Sequence, residues 1–154
     1  MDTVPSRDPR NLYILPGGIA EVFTSEPGKH TVVFQGRKGL CKLALESGIA
    51  IIPTYVFGAT DFYHNLITAD TWFARACRHF HIALTLFWGP FHLPLPYYPK
   101  LTMCCAEPIY VKKSEQPTSE QVDELHSQYL KALQETFDKY KTVAGYPDAI
   151  LEVK

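Results

Sequence analysis

The feature that most limits how this chain folds is a strand–helix–strand rhythm between Thr31 and Phe57. Thr31-Val32-Val33-Phe34 is rich in β-branched residues and reads as a short strand. Arg37–Ser47 follows as an amphipathic helix, with Leu40, Leu43, Ala44 and Ser47 at helical spacing and Gly48 at the left-handed position that ends it. Ile49–Phe57 is then mostly apolar, the pattern of a strand covered on both faces. Pro53 inside it cannot donate to a ladder, so the strand must bulge or lie at an edge there. Strand, helix and buried strand in this order predict an α/β fold with a mixed, largely parallel sheet and flanking helices.

Ahead of this unit, Leu12–Leu15 is a continuous apolar run and reads as a short buried strand. It stops at Pro16-Gly17-Gly18, and Glu21 follows three residues later. Two glycines permit positive φ and close approach of another group, and a strand ending in such a turn exposes backbone N–H groups. Ile19–Phe23 reads as a brief helix or an extended segment, and Thr24–Gly28 as a turn with Pro27-Gly28 suited to type II. Met1–Asn11 is a polar, proline-bearing loop without the features of a signal peptide, so residues 12–154 form the folded part.

Downstream, Thr68–His81 has an apolar helical stripe through Trp72, Phe73, Ala76, Cys77 and Phe80. Ile82–Phe87 fits a strand, Gly89–Pro99 a proline-rich aromatic loop, and Leu101–Ala106 a strand closed by Pro108. The plainest helix is Thr118–Lys141. Thr118 and Gln121 make a capping box, Val122, Leu125, Tyr129, Leu133, Phe137 and Tyr140 line one face, and Gly145 ends it.

With 154 residues, 46% hydrophobic and 20% charged, the chain has enough apolar material for one core. A net charge of −1 leaves no basic field for nucleic acid. Cys41, Cys77, Cys104 and Cys105 make no C-x-x-C pair, so zinc-ligand spacing is absent and reduced intracellular thiols are expected. Adjacent Cys104 and Cys105 should point to opposite faces of their strand. The longest apolar stretch, Ile82–Pro96, is broken by glycine and prolines, whereas a spanning helix needs roughly 20 residues. Membrane contact is therefore expected to be interfacial, with the aromatic run Phe87–Tyr98, and Trp88 and Phe91 in particular, either touching lipid, lining an acyl tunnel or plugging the core.

Pro16-Gly17-Gly18 with Glu21, Pro27-Gly28-Lys29, Arg37-Lys38-Gly39, Lys42–Leu45, Gly48, Pro53, Tyr55, Phe57-Gly58 and Glu107-Pro108-Ile109 occur in that order. Together they resemble the second half of the type-2 diacylglycerol acyltransferase family, which includes monoacylglycerol and wax-alcohol acyltransferases. The resemblance runs from Leu12 almost to the end. It implies part of a glycerolipid-acyltransferase-like domain that makes triacylglycerol or wax ester at the cytosolic face of the endoplasmic reticulum membrane. The implied substrates are acyl-CoA, as co-substrate rather than cofactor, and a lipid alcohol, with no metal. A full-length relative or a second copy of the chain is an implied partner.

By the same resemblance, Gly17, Gly18 and Glu21 support the acceptor site or fix the catalytic base; as a plain turn, they would only place Glu21 at a helix start. Arg37 and Lys38 stand at the end of a helix that disfavours cations, which makes sense if they meet the phosphates of coenzyme A. As the alternative they are solvated surface charges. Pro53, Phe57 and Gly58 correspond to groove support, with a purely structural role as the safer reading. Pro90 stands where the family commonly has arginine, and Ala106 replaces the glycine before Glu-Pro-Ile.

Acyl transfer to an alcohol needs a general base and oxyanion donors. In the family the base is a histidine in a His-Pro-His-Gly block ahead of the Pro-Gly-Gly turn. All six histidines here follow that turn and none is in such a block. His79 and His81 invite pairing: on a helix they point apart and on a strand they share a face, and surface histidines at a helix end are much commoner than ligands. Two readings follow. In one the chain is part of an acyl-CoA-dependent O-acyltransferase, inactive alone; in the other it is a non-catalytic lipid- or acyl-CoA-binding or regulatory fragment. A nucleotide site at Pro16-Gly17-Gly18 is disfavoured, because phosphate-loop spacing is missing.

Overall fold

A computed structural model describes residues 12–65, 71, 72, 76, 79, 87–93 and 95–154. The expected loop Met1–Asn11 lies outside these, as do residues 82–86 and most of the expected helix Thr68–His81, including His81. In chain order the elements are α1 (Gly18–Thr24), β1 (His30–Val32), α2 (Gly39–Ser47), β2 (Thr54–Phe57), β3 (His64–Asn65) and β4 (Phe87–Trp88). A 3₁₀ turn (Pro90–His92), β5 (Thr102–Cys105), α3 (Ser119–Ala144) and β6 (Leu151–Val153) complete them.

The class is mixed α/β with a long C-terminal helix, as the sequence suggests. Among the described residues the strands form three two-stranded sheets. Only β1 and β6 are parallel, with His30 opposite Leu151. The β2–β5 and β3–β4 pairs are antiparallel, so parallel pairing is confined to one short ladder. β6 had no strong signal in the sequence. It is held because Phe34 and Gln35 donate to the Lys154 carbonyl at 2.8 and 3.0 Å, while the Lys154 N–H returns to Val32.

α3 is the organising element. Thr118 and Gln121 form the capping box, and Gly145 closes the helix at φ 98°. Its buried face carries Val122, Leu125, Tyr129, Leu133 and Phe137, the expected stripe, and also His126. Phe137 is fully buried and lies 4.9 Å from the Tyr55 ring and 5.0 Å from that of Phe57. α3 therefore covers the inner face of the β2–β5 sheet, where Cys104 points inward and Cys105 outward.

Three local expectations are revised. Leu12–Leu15 is not a buried strand: it has no regular secondary structure, pairs with no strand among the described residues, and leaves Leu12 77% and Leu15 68% exposed. Its apolar sequence has strand character, but among the described residues no strand pairs with it to use that character. α2 buries Cys41, Ala44 and Leu45, with Leu40 packed against the core and Leu43 48% exposed, so the inward face is turned away from Leu43. The strand expected over Ile49–Phe57 contracts to β2. Before it, Ile51 makes an isolated bridge to Ile109, and Pro53, without an N–H, only accepts through its carbonyl from Ala106 at 2.8 Å.

Pro53 and Phe57 are both fully buried, and Gly58 follows at φ 83° with no room for a side chain. A Cβ there would lie 2.5 Å from the Lys100 carbonyl oxygen. These three residues hold the end of β2 against the chain entering β5. Gly58→Ala combines a left-handed alanine with a backbone collision. It is expected to lower unfolding stability by about 2 kcal/mol or more, read from denaturant midpoints, while Cys105→Ser on the exposed face should change little.

Candidate functional site

The Pro-Gly-Gly turn and the start of α2 meet in one place. Gly18 adopts φ 51° and begins α1, as two adjacent glycines allow. The short helix brings Glu21 back over the turn. A Cβ on Gly17 would fall 2.1 Å from Glu21 Oε2 and 2.7 Å from its Cβ, so only glycine fits beneath this carboxylate. Glu21 Oε1 accepts from the Val33 N–H at 3.4 Å. Burial raises the carboxyl above its ordinary 4.5, with the Val33 bond and the Arg37 charge opposing that rise.

Arg37 completes the unit. Its Nη1 donates to the Pro16 carbonyl at 2.7 Å and stands close over Gly18, where an added Cβ would be 3.3 Å away. The guanidinium thus fixes the carbonyl entering the turn, and the Glu21 carboxylate packs over Gly17 within it. Beside them Ile14, Leu15, Phe34, Leu40 and Leu43 line a shallow apolar cavity of about 310 Å³ with Arg37 on its wall. Lys38 is separate from this unit. It pairs with Asp123 of α3 at 2.5 Å.

Pro53, Phe57 and Gly58 are core and turn residues rather than part of this unit. Trp88 is half-buried in β4 with its ring 5.7 Å from that of His92. Phe91 is 92% exposed and adopts φ 58°, and His92 follows at φ 59°. Non-glycine residues in this region cost about 1–3 kcal/mol each. Of the histidines singled out, His79 is helical, and no group of three or more metal-ligating side chains occurs among the described residues.

Two buried histidines were not singled out in the sequence. His126 Nε2 lies 3.0 Å from the Phe34 carbonyl, and its ring stacks on Phe34 at 5.0 Å. Its spacing from Val122 and Tyr129 places it on the apolar stripe, which was the available signal. His30 alternates with Val32 and Phe34 on one strand face. Its Nδ1 lies 2.8 Å from Tyr55 Oη, while Nε2 is buried without a hydrogen-bond partner. Phe57, Phe137 and Tyr146 surround the ring. The Tyr146 hydroxyl donates to Asp61 at 2.6 Å, and Asp61 also accepts from the Gly28 N–H at 3.0 Å. Burial, with that bond, pushes Tyr146 up to about 12.

The sequence model of the family described as "Diacylglycerol acyltransferase" matches residues 5–154. The chain belongs to the diacylglycerol acyltransferase family. Diacylglycerol O-acyltransferase 2 of Xenopus laevis is 37% identical over 149 residues, covering 90% of this chain and 41% of its own length. The human protein of that name is 34% identical over 92% of this chain and 40% of its own. Human acyl-CoA wax alcohol acyltransferase 2 is 34% identical over 87% of this chain and 43% of its own. The chain thus spans about two fifths of the length of these relatives. No solved structure matches it. Among the described residues no helix is long and apolar enough to cross a membrane.

Two titrations follow from this geometry. Burial lowers His30 below 6.5, outweighing the nearby Asp61 charge. The folded state then binds fewer protons than the unfolded state, so stability is full above about 6.5 and drains as pH falls toward the depressed value. The unfolding midpoint measured against pH should lose part of that slope in His30→Asn. Glu21 has the opposite sign. Its raised folded value means stability present below 4.5 and lost as pH rises through that value. Glu21→Gln keeps an acceptor for Val33 and should be as stable as the parent at pH 7, or more so, in thermal unfolding.

Proposed function

We propose that this chain supplies one wall of an acyl-CoA-dependent O-acyltransferase that makes neutral glycerolipid or wax ester. The observation that carries this reading is the Pro16–Glu21 unit, where the glycines, the carboxylate and Arg37 lock together in a family member. Glu21 keeps a carboxylate at the turn although burial disfavours its charge, which is the mark of a group kept for chemistry rather than stability. In this reading its Oε2 orients the imidazole base brought by an upstream His-Pro-His-Gly segment, and the turn shapes the acceptor pocket. Arg37 remains exposed beside the apolar cavity and meets the anionic part of acyl-CoA. The acceptor is a lipid alcohol, and the reaction takes place at the cytosolic face of the endoplasmic reticulum membrane.

The chain contains no His-Pro-His-Gly block, and His30 and His126 are enclosed in the core. A positioned base contributes about 10²–10⁴-fold to such a step. This observation also favours the second reading, a fragment that binds lipid or acyl-CoA, or regulates a relative, without transferring acyl groups. The 154-residue chain incubated with labelled acyl-CoA and diacylglycerol, monoacylglycerol or a fatty alcohol should show no transfer. Co-expression with the upstream segment of a relative should restore it, and Glu21→Ala should then reduce it by about 10². Turnover by the chain alone that vanishes in a single His→Ala variant contradicts the divided site. Acyl-CoA binding without restoration selects the second reading.

A further inference from the structure

Among the described residues, His30 Nε2 is the only buried side-chain polar atom without a hydrogen-bond partner. The residue is 3% exposed. The rings of Phe137 and Tyr146 stand edge-on to it at 5.4 and 5.0 Å, and that of Phe57 lies tilted at 5.9 Å. Its Nδ1 meets the Tyr55 hydroxyl at 2.8 Å, and that hydroxyl has no other partner among the described residues. The hydroxyl therefore donates to Nδ1, because the reverse arrangement would strand a second buried donor. The proton of the neutral ring then sits on Nε2, where the neighbours are aromatic rings that accept only weakly. A second proton cannot be taken up without loss. On Nδ1 it would displace the Tyr55 O–H from its acceptor, Nε2–H would still lack one, and the positive charge would be buried unpaired. Asp61 is the nearby anion, but its oxygens already accept from the Gly28 N–H and the Tyr146 hydroxyl. The other titratable groups around the ring are Tyr55 and Tyr146, with Glu21 of α1 acting on Tyr55. β6 places apolar Leu151 opposite His30, while its Glu152 accepts from Thr31 on the exposed side. α3 presents Phe137, and its Asp138 and Lys141 pair with each other.

We propose that His30 is an acid-sensitive latch: neutral, it holds β1 in the core, and protonated, it lets β1 and β6 come away and frees the Pro-Gly-Gly turn from Val33. β1 is three residues long and pairs, among the described residues, with β6 alone. A two-stranded ladder of that size is marginal without packing against the rest of the fold. Its release reaches the turn through backbone hydrogen bonds. Lys154 donates to Val32, Phe34 and Gln35 donate back to Lys154, and Val33 between them donates to Glu21. Expelling the His30 ring therefore loosens the C-terminal strand and the Glu21 carboxylate together, while α3 keeps its own cap. The opened form takes up a proton near the ordinary 6.5 and the closed form only at lower pH. Opening therefore increases as pH falls through that value. The latch follows from packing and tautomer, not from acyl transfer.

The test is made by NMR on the full chain. The ring-nitrogen chemical shifts of His30 at neutral pH should show Nδ1 bare and Nε2 protonated; the opposite tautomer overturns the proposal. Residue-resolved hydrogen exchange, corrected for the intrinsic pH dependence of amide chemistry, is then compared at about pH 7.5 and about pH 5.5. Protection of the Phe34 and Lys154 amides, and of Val33 with them, should fall roughly tenfold, the scale set by one proton taken up at 6.5 in the opened form. Amides in the middle of α3 should keep their protection. Equal loss in α3 would mean global unfolding and overturns the latch, as does unchanged protection of β1. His30→Asn should flatten the response at Phe34 and Lys154. Tyr55→Phe keeps the ring but removes the bond that protonation breaks, so it should shrink the response. A full response retained in His30→Asn, or one abolished by Glu21→Gln, assigns the titration elsewhere and overturns the proposal. If His30→Asn does not fold, the parent ring decides: protonation of His30 without loss of protection at Phe34 contradicts the latch. Each readout is structural, so the latch and the acyl-transfer reading fail independently.

Discussion

The Phe137 ring is where the separate pieces of this fold become one. α3 brings it to Tyr55 and Phe57 of β2 and, at 5.4 Å, to His30 of β1. With only two-stranded sheets, no ladder among the described residues is wide enough to organise a core by itself. The short strands persist because one long, well-capped helix lays a continuous apolar stripe across them. Burying a side chain of this size stabilises by about 1.5–3 kcal/mol. Loss of that contact would therefore release β1 and β2 together.

The candidate site lies at the other end of the same packing. β1 and its extension to Phe34 are fixed by β6 and α3, and Val33 in that segment donates to Glu21. α2 is fixed by Cys41, Ala44 and Leu45, and Arg37 just ahead of it reaches Pro16. The Pro-Gly-Gly turn is thus held from two sides by elements whose positions the core decides. The carboxylate is poised against its own desolvation, held by one backbone bond and one nearby cation. This arrangement is costly in a structural turn and useful in a site that must orient a proton carrier.

Much of this was legible in the sequence, for definite reasons. α3 has a cap, a stripe and a terminating glycine that agree with one another, so its length and face could be read to within a few residues. Gly17, Gly18 and Glu21 were recognisable as a block. What the sequence did not show is that the glycine at 17 exists to admit the Glu21 carboxylate, a contact that spacing alone cannot reveal. Leu12–Leu15 misled because apolar composition signals strand character without saying whether a partner edge is present. β6 was missed because its three residues owe their conformation to β1, which lies far away in sequence. Arg37 and Lys38 looked equivalent, but one faces the turn and the other α3. His30 and His126 were hidden among core positions where histidine is unusual.

The measurement that bears most directly on the locked turn is the titration of the Glu21 carboxyl carbon, followed by NMR in the parent and in Arg37→Gln. Burial with a nearby guanidinium predicts a midpoint above the ordinary 4.5 in the parent. It predicts a further rise in Arg37→Gln, because removing the cation takes away one of the two influences holding the value down. A parent midpoint at or below 4.5 that does not respond to Arg37→Gln would contradict the account. It would mean that the carboxylate is solvated and free of the turn.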